Sequence, residues 1–194
     1  MGDFDFDEEG DGARRWPSWL EDQLARLLVR YEASLGYSTC VWHNVRCSSC
    51  LFDRDGWYCR MQEWSHQPYP EPLRRAIIAK NHPILRRTHS SYRHQLALAI
   101  QRHDLVSVQH RVTALLASYF DILFALNRLP HPGEKRLIAT ARQSCSQLPK
   151  QMEDELQRLL DATVPDHWPS LLPTIDTVLD HLDALLEEEA APIR

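Results

Sequence analysis

Residues 105–126 constrain this chain more than any other stretch. Leu105, Val108, Val112, Leu115, Leu116, Tyr119, Phe120, Leu123 and Phe124 recur at helical spacing behind Asp104, whose carboxylate suits a helix N-cap. The spacing predicts a long helix bearing the broadest apolar stripe of the sequence. That helix breaks at a polar corner, Asn127-Arg128, and the chain restarts at Pro132-Gly133-Glu134-Lys135. Proline suits a first helical turn and a following glutamate suits its positive end, so the corner has a local cause. It would draw Asn127, Arg128, Glu134 and Lys135 to one elbow, as a hydrogen-bonded structural corner or as the rim of an anion site.

Around this helix the pattern predicts a mainly α fold, an antiparallel helical bundle preceded by a small β-containing fragment. Ser18-Trp19-Leu20-Glu21 reads as a capping box, followed by Leu20, Leu24, Leu27, Leu28, Tyr31 and Leu35 at helical spacing until Gly36. Thr39 to Val45 alternates and is rich in β-branched and aromatic residues, and Leu51 to Tyr58 enters an Asp-Gly turn, so both read as short strands. From Pro70 onward everything reads as helix. Leu73, Ala76 and Ile77 mark one that Asn81 and Pro83 end. Leu85, His89, Tyr92, Leu96 and Ile100 mark the next. Three more follow the long helix, after Pro132, after Pro149 and near Thr174. Short connections favour antiparallel neighbours. The division expected is 1–68, strand-containing, and 69–194, the bundle.

Charge is segregated along the chain. Between Arg74 and Arg111 eight basic residues face the single acid Asp104, and five histidines lie in the same stretch. The first thirteen residues hold six acids and no base, and the sequence turns acidic again at Glu187-Glu188-Glu189. A cationic surplus on helices can gather an anionic ligand such as a triphosphate or RNA; the alternative is that these bases pair with the acidic ends. No apolar run approaches the ~18 residues of a membrane span, and the acidic N-terminus is unlike a secretory signal. The expectation is a cytoplasmic chain with no membrane partner.

The run Phe124 to Leu137, together with Gly36 to Asn44, Leu51 to Trp57 and Tyr69 to Arg74, resembles the C-terminal helical region of bacterial nucleotidyltransferase-like proteins of the polymerase-beta-like superfamily, including those with an attached domain of unknown function. The resemblance spans about residue 36 to residue 138. It implies transfer of a nucleoside monophosphate from a triphosphate to a hydroxyl, with magnesium as cofactor. That family's catalytic core opens with a Gly-Ser turn and an Asp-x-Asp pair, and no Gly-Ser pair occurs in this sequence. The chain is therefore expected to be the helical, nucleotide-binding portion of such a protein, without transferase activity alone, working from a longer polypeptide or beside a separate nucleotidyltransferase chain.

Within that reading the alternating Asp3-Phe4-Asp5-Phe6-Asp7 resembles the strand carrying the third metal carboxylate. Asp5 is then the first choice for catalysis and magnesium, with Asp3 next, against the alternative of an acidic tail. Lys80, His82, Asn127, Arg128 and Lys135 are the candidates for phosphate, since they sit beside expected helix ends or at the elbow.

Other chemistries compete. Cys40, Cys47, Cys50 and Cys59 fall within twenty residues, with His43 nearby, a spacing that can hold zinc or simply supply small buried hydrophobes. Arg87 and His94, with six residues between them, match a HEPN-like helical ribonuclease, metal-independent, in which both side chains handle the scissile phosphate; Arg102 and His110 are one residue too far apart. A non-catalytic binding module is the third reading. Neither a Gly-x-Ser-x-Gly elbow nor a glycine-rich phosphate loop is present.

Overall fold

A computed structural model of the chain describes the backbone of residues 12–190 and the side chains of residues 18–189. It is helical throughout: α1 (Gly12–Leu28), α2 (Cys40–Cys47), α3 (Trp57–Ser65), α4 (Glu71–Arg86), α5 (Tyr92–Gln101), α6 (Leu105–Leu126), α7 (Leu137–Ser144), α8 (Met152–Asp161), a single 3-10 turn (Pro165–His167) and α9 (Trp168–Ala190). No described residue is in a strand. Among the described residues no helix is long and apolar enough to cross a membrane.

The expected β fragment is corrected to helix and loop. In place of a strand over Thr39 to Val45, α2 buries Trp42 and Val45 three residues apart, with Thr39 buried a further three before them. The Trp42 indole N–H donates to the Ser65 carbonyl at 2.6 Å, which fixes α2 against the end of α3 and satisfies the one polar atom of a fully buried ring. Leu51 to Asp55 is a loop with Leu51 and Phe52 exposed, and α3 begins beyond Gly56, whose left-handed φ of 65° turns the chain into it.

The first helix ends earlier than its leucines suggest. Tyr31 adopts φ 54°, and the Arg30 and Glu32 N–H groups bond back to Ala25 and Arg26. Arg26, Arg30, Asp22 and Glu32 then tie the exposed end together in ion pairs. Ser18 lies inside α1 rather than at its cap.

Two further boundaries move. Pro83 does not stop α4; it falls in the last turn, where only one backbone donor is lost before Arg86 closes the helix. The chain breaks instead at Ser91, whose hydroxyl caps α5 by accepting the His94 N–H. In the same way α9 starts at Trp168 and runs through Pro173. Asp104 caps α6 as expected, its carboxylate accepting the Ser107 N–H at 3.0 Å.

Helix α6 is the centre of the fold. It packs most broadly on α4 and α5, and every residue from Ala117 to Leu126 is buried. One apolar core joins Leu85 of α4 to α5, α6, α8 and α9; a second joins α1 and α2 to Leu73 and Ile77 of α4 and Ala125 of α6. Both cores thus meet on α4 and α6, and packing is continuous across residue 68.

Candidate functional site

Asp121 and Asn81 are buried polar residues that face one turn of chain between α1 and α2. Asp121 accepts the Ser38 N–H at 3.0 Å and the Ser38 hydroxyl at 2.5 Å. Asn81 donates to Asp121 at 3.2 Å and to the carbonyls of Ser34 and Ile77, and it accepts the Gly36 N–H at 2.9 Å. Burial pushes the Asp121 carboxyl up to about 6, and the bonds from Ser38 and Asn81 limit the rise.

On the far side of the same turn, the His131 N–H donates to the Thr39 hydroxyl oxygen at 2.7 Å. The His131 ring accepts the Gly133 N–H at Nδ1, 3.0 Å, leaves Nε2 buried without a partner, and has the Cys40 thiol 3.4 Å from Nδ1. Burial lowers the His131 ring to about 4 and raises the Cys40 thiol to about 12, so both are neutral near pH 7. Ser38, Thr39, Asn81, Asp121 and His131 are buried, Cys40 is half-buried, and together they lock the turn in place.

What the lock presents is Tyr37. Held at φ 53° and packed edge-on to His131, it stands at one wall of a groove of about 570 Å³ between α6, α7 and α8. Leu116, Phe120, Leu137, Ile138 and Leu160 also face the groove, and Glu134, Arg136, Glu153 and Gln157 bring polar groups to it. A volume of this size suits a small organic ligand. Helix α7 starts beside this groove behind Arg136 at φ 53°, and no side chain caps its first-turn N–H groups, the donors that a helix start leaves without an intrahelical acceptor. The exposed side chains of Lys135 and Arg136 make no hydrogen bond or ion pair with any described residue.

The sequence-predicted residues are not gathered in one place. Lys80 donates to the Ala33 carbonyl at 2.5 Å, and His82 pairs with Asp183 of α9. Asn127 is a structural corner: its amide donates to the Leu123 and Gln147 carbonyls, both at 2.8 Å, and its oxygen accepts the Gln147 N–H. Arg128 reaches Glu71 and Glu189, at 3.4 and 3.5 Å. Of the described ones only Lys135 comes near the groove, through its place in the chain between the lining residues Glu134 and Arg136. Asp3 and Asp5 lie outside the described residues.

Much of the basic surplus is answered internally by α9. Asp183 receives Arg86 at 2.6 Å, Arg87 at 3.2 Å and His82, while Asp176 takes Arg93 in a two-pronged bond at 2.6 and 2.7 Å. Despite partial burial, the bonds from Arg86 and His82 hold the Asp183 carboxyl below its ordinary range. Arg87, half of the ribonuclease pair, is therefore already engaged by a carboxylate.

Among the described residues one group of three metal-ligating side chains converges, Cys50, Asp53 and Cys59, with ligand atoms within 4.8 Å of one another. Two thiols and one carboxylate do not fit magnesium, which takes oxygen ligands, so the magnesium expectation gains no site among the described residues.

The sequence missed the groove because Tyr37, Phe120 and Arg136 belong to three separate segments. The elbow sequence was the one available signal, since it includes the lining residue Glu134 and ends at Lys135, one position before Arg136. No protein-family model matches the chain, and no curated protein or solved structure matches it.

Proposed function

We propose that this chain is the helical, ligand-holding part of a nucleotidyltransferase-like protein, and that it binds a nucleoside triphosphate or a related phosphate-bearing ligand at the α6–α7–α8 groove. The observation that carries this reading is the pairing of an apolar groove with the uncapped start of α7 and with the cations Lys135 and Arg136, which have no partner among the described residues. The base would lie against Tyr37, Phe120 and Ile138. The phosphates would meet Arg136, Lys135 and the first-turn N–H groups, where the helix dipole favours negative charge. Glu134 and Glu153 offer acceptors to ribose hydroxyls. Transfer chemistry, with its magnesium, belongs in this reading to carboxylates outside the described residues or to a separate nucleotidyltransferase chain.

Titration of the purified chain with a fluorescent adenosine triphosphate analogue tests it. Triphosphate should bind more tightly than adenosine, and affinity should fall as salt rises. Arg136→Ala should weaken binding by about tenfold, or about 1.4 kcal/mol. Ala139→Phe, which fills the groove, should weaken adenosine and triphosphate alike. Binding that is absent, or unchanged in the Lys135→Ala, Arg136→Ala double variant, overturns the reading.

A further inference from the structure

The loop between α2 and α3 is poorly supported by apolar packing. It carries no regular structure from Ser48 to Arg54 apart from single turns, and Leu51 and Phe52 are 96% and 79% exposed. Yet its ends are drawn together by chemistry. Asp53 folds forward to accept the Cys59 N–H at 3.0 Å, Ser48 shares a hydrogen bond with Tyr58 at 2.5 Å, and Gln62 donates to the Ser48 carbonyl at 2.6 Å. These bonds bring the thiols of Cys50 and Cys59 and the Asp53 carboxylate to within 4.8 Å of one another, on the solvent side.

We propose that Cys50, Asp53 and Cys59 form a zinc site, with water in the fourth position. In a tetrahedral zinc site the bonds of about 2.3 Å to sulfur and about 2.0 Å to oxygen place ligand atoms roughly 3.3–3.8 Å apart. The trio needs only a small contraction to reach that. Its chemistry selects the metal: two soft thiolates favour zinc over magnesium or calcium. The Cys59 N–H holds the Asp53 carboxylate in orientation, as the hydrogen-bond partners of ligands do in metal sites. Cys47 is not part of the trio; its thiol lies 4.0 Å from His43 Nδ1 at the end of α2. The ion would close the loop where apolar contacts do not.

The full chain, reduced and freed of metal, is titrated with cobalt and then with zinc. Cobalt should give a thiolate charge-transfer band saturating at one ion per chain, and zinc should displace it. Cys50→Ser and Cys59→Ser should each weaken zinc roughly 100-fold, measured against a chromophoric chelator. Asp53→Asn keeps the loop–helix bond and should weaken zinc less, which separates loss of a ligand from loss of the fold. Cys145→Ser should change nothing, and circular dichroism confirms that each variant remains helical. Absence of the charge-transfer band overturns the proposal. So does binding that survives Cys59→Ser or is lost in Cys47→Ser.

Discussion

Asp121 holds Ser38 twice, through the backbone N–H at 3.0 Å and through the hydroxyl at 2.5 Å, although eighty-three positions separate them in the chain. The turn on which Tyr37 stands is thereby fixed by a side chain of the central helix. Asn81 secures the same turn from α4 and His131 from the elbow loop.

The two buried titratable groups of this lock act on stability with opposite sign. Asp121 is raised to about 6, so its contribution is fully present below its unfolded value and is lost as pH rises through about 6. His131 is lowered to about 4, so its contribution is present above about 6.5 and is lost as pH falls through about 4. Each is worth on the order of 3 kcal/mol, and between pH 4 and pH 6 they oppose each other. Asp121→Asn removes one of them. Urea unfolding should then show stability climbing from pH 4 to about 6.5, where the parent chain shows a flatter profile.

Gly36→Ala should be strongly destabilising. Gly36 has φ +74°, and an added Cβ would stand 2.7 Å from the Ala117 Cβ and 3.2 Å from the Ala117 backbone, with no flexible side chain to yield. A loss of about 2–4 kcal/mol is expected from left-handed strain and overpacking together. A shift of the urea midpoint with an unchanged slope would verify it.

Asn81→Leu keeps the side chain's branched outline and removes the whole hydrogen-bonding hub. It leaves the buried Gly36 N–H without its acceptor and Asp121 without one donor. About 2–4 kcal/mol should be lost, and Tyr37 should become mobile, so nucleotide affinity at the groove should fall together with stability. Tyrosine side-chain resonances read the second effect.

Asp183→Ala should cost about 1–3 kcal/mol, because it strands His82 at a part-buried position on α4 and takes one of two carboxylate partners from Arg86, which keeps Asp180. The exposed Arg87 adds little. Thermal unfolding at low and high salt checks this, with the difference from the parent chain shrinking as salt screens the remaining charges.

Legibility of the sequence followed the length of its signals. Helix α6 was readable because the Asp104 cap and a stripe across six turns agree. Residues 39–45 were not, since Thr39, Trp42 and Val45 at a spacing of three and Thr39, Val41, His43 and Val45 at a spacing of two are both present, and so short a window cannot choose between them. Tertiary contact chose: Trp42 found the Ser65 carbonyl as a helical residue. The basic stretch was visible in the sequence, but its neutralisation by Asp176, Asp180 and Asp183 depended on α9 folding back over α4 and α5. The groove was the least legible part. Its walls come from positions between 37 and 160, and only packing brings them together.

Because the last ten residues of α6 are covered on every side, the helix serves as a common axle for both apolar cores. Neither half can melt while the other keeps that axle dry. Heating should therefore produce one cooperative transition, and a polypeptide cut at residue 68 should expose Leu73, Ile77 and Ala125 and clump.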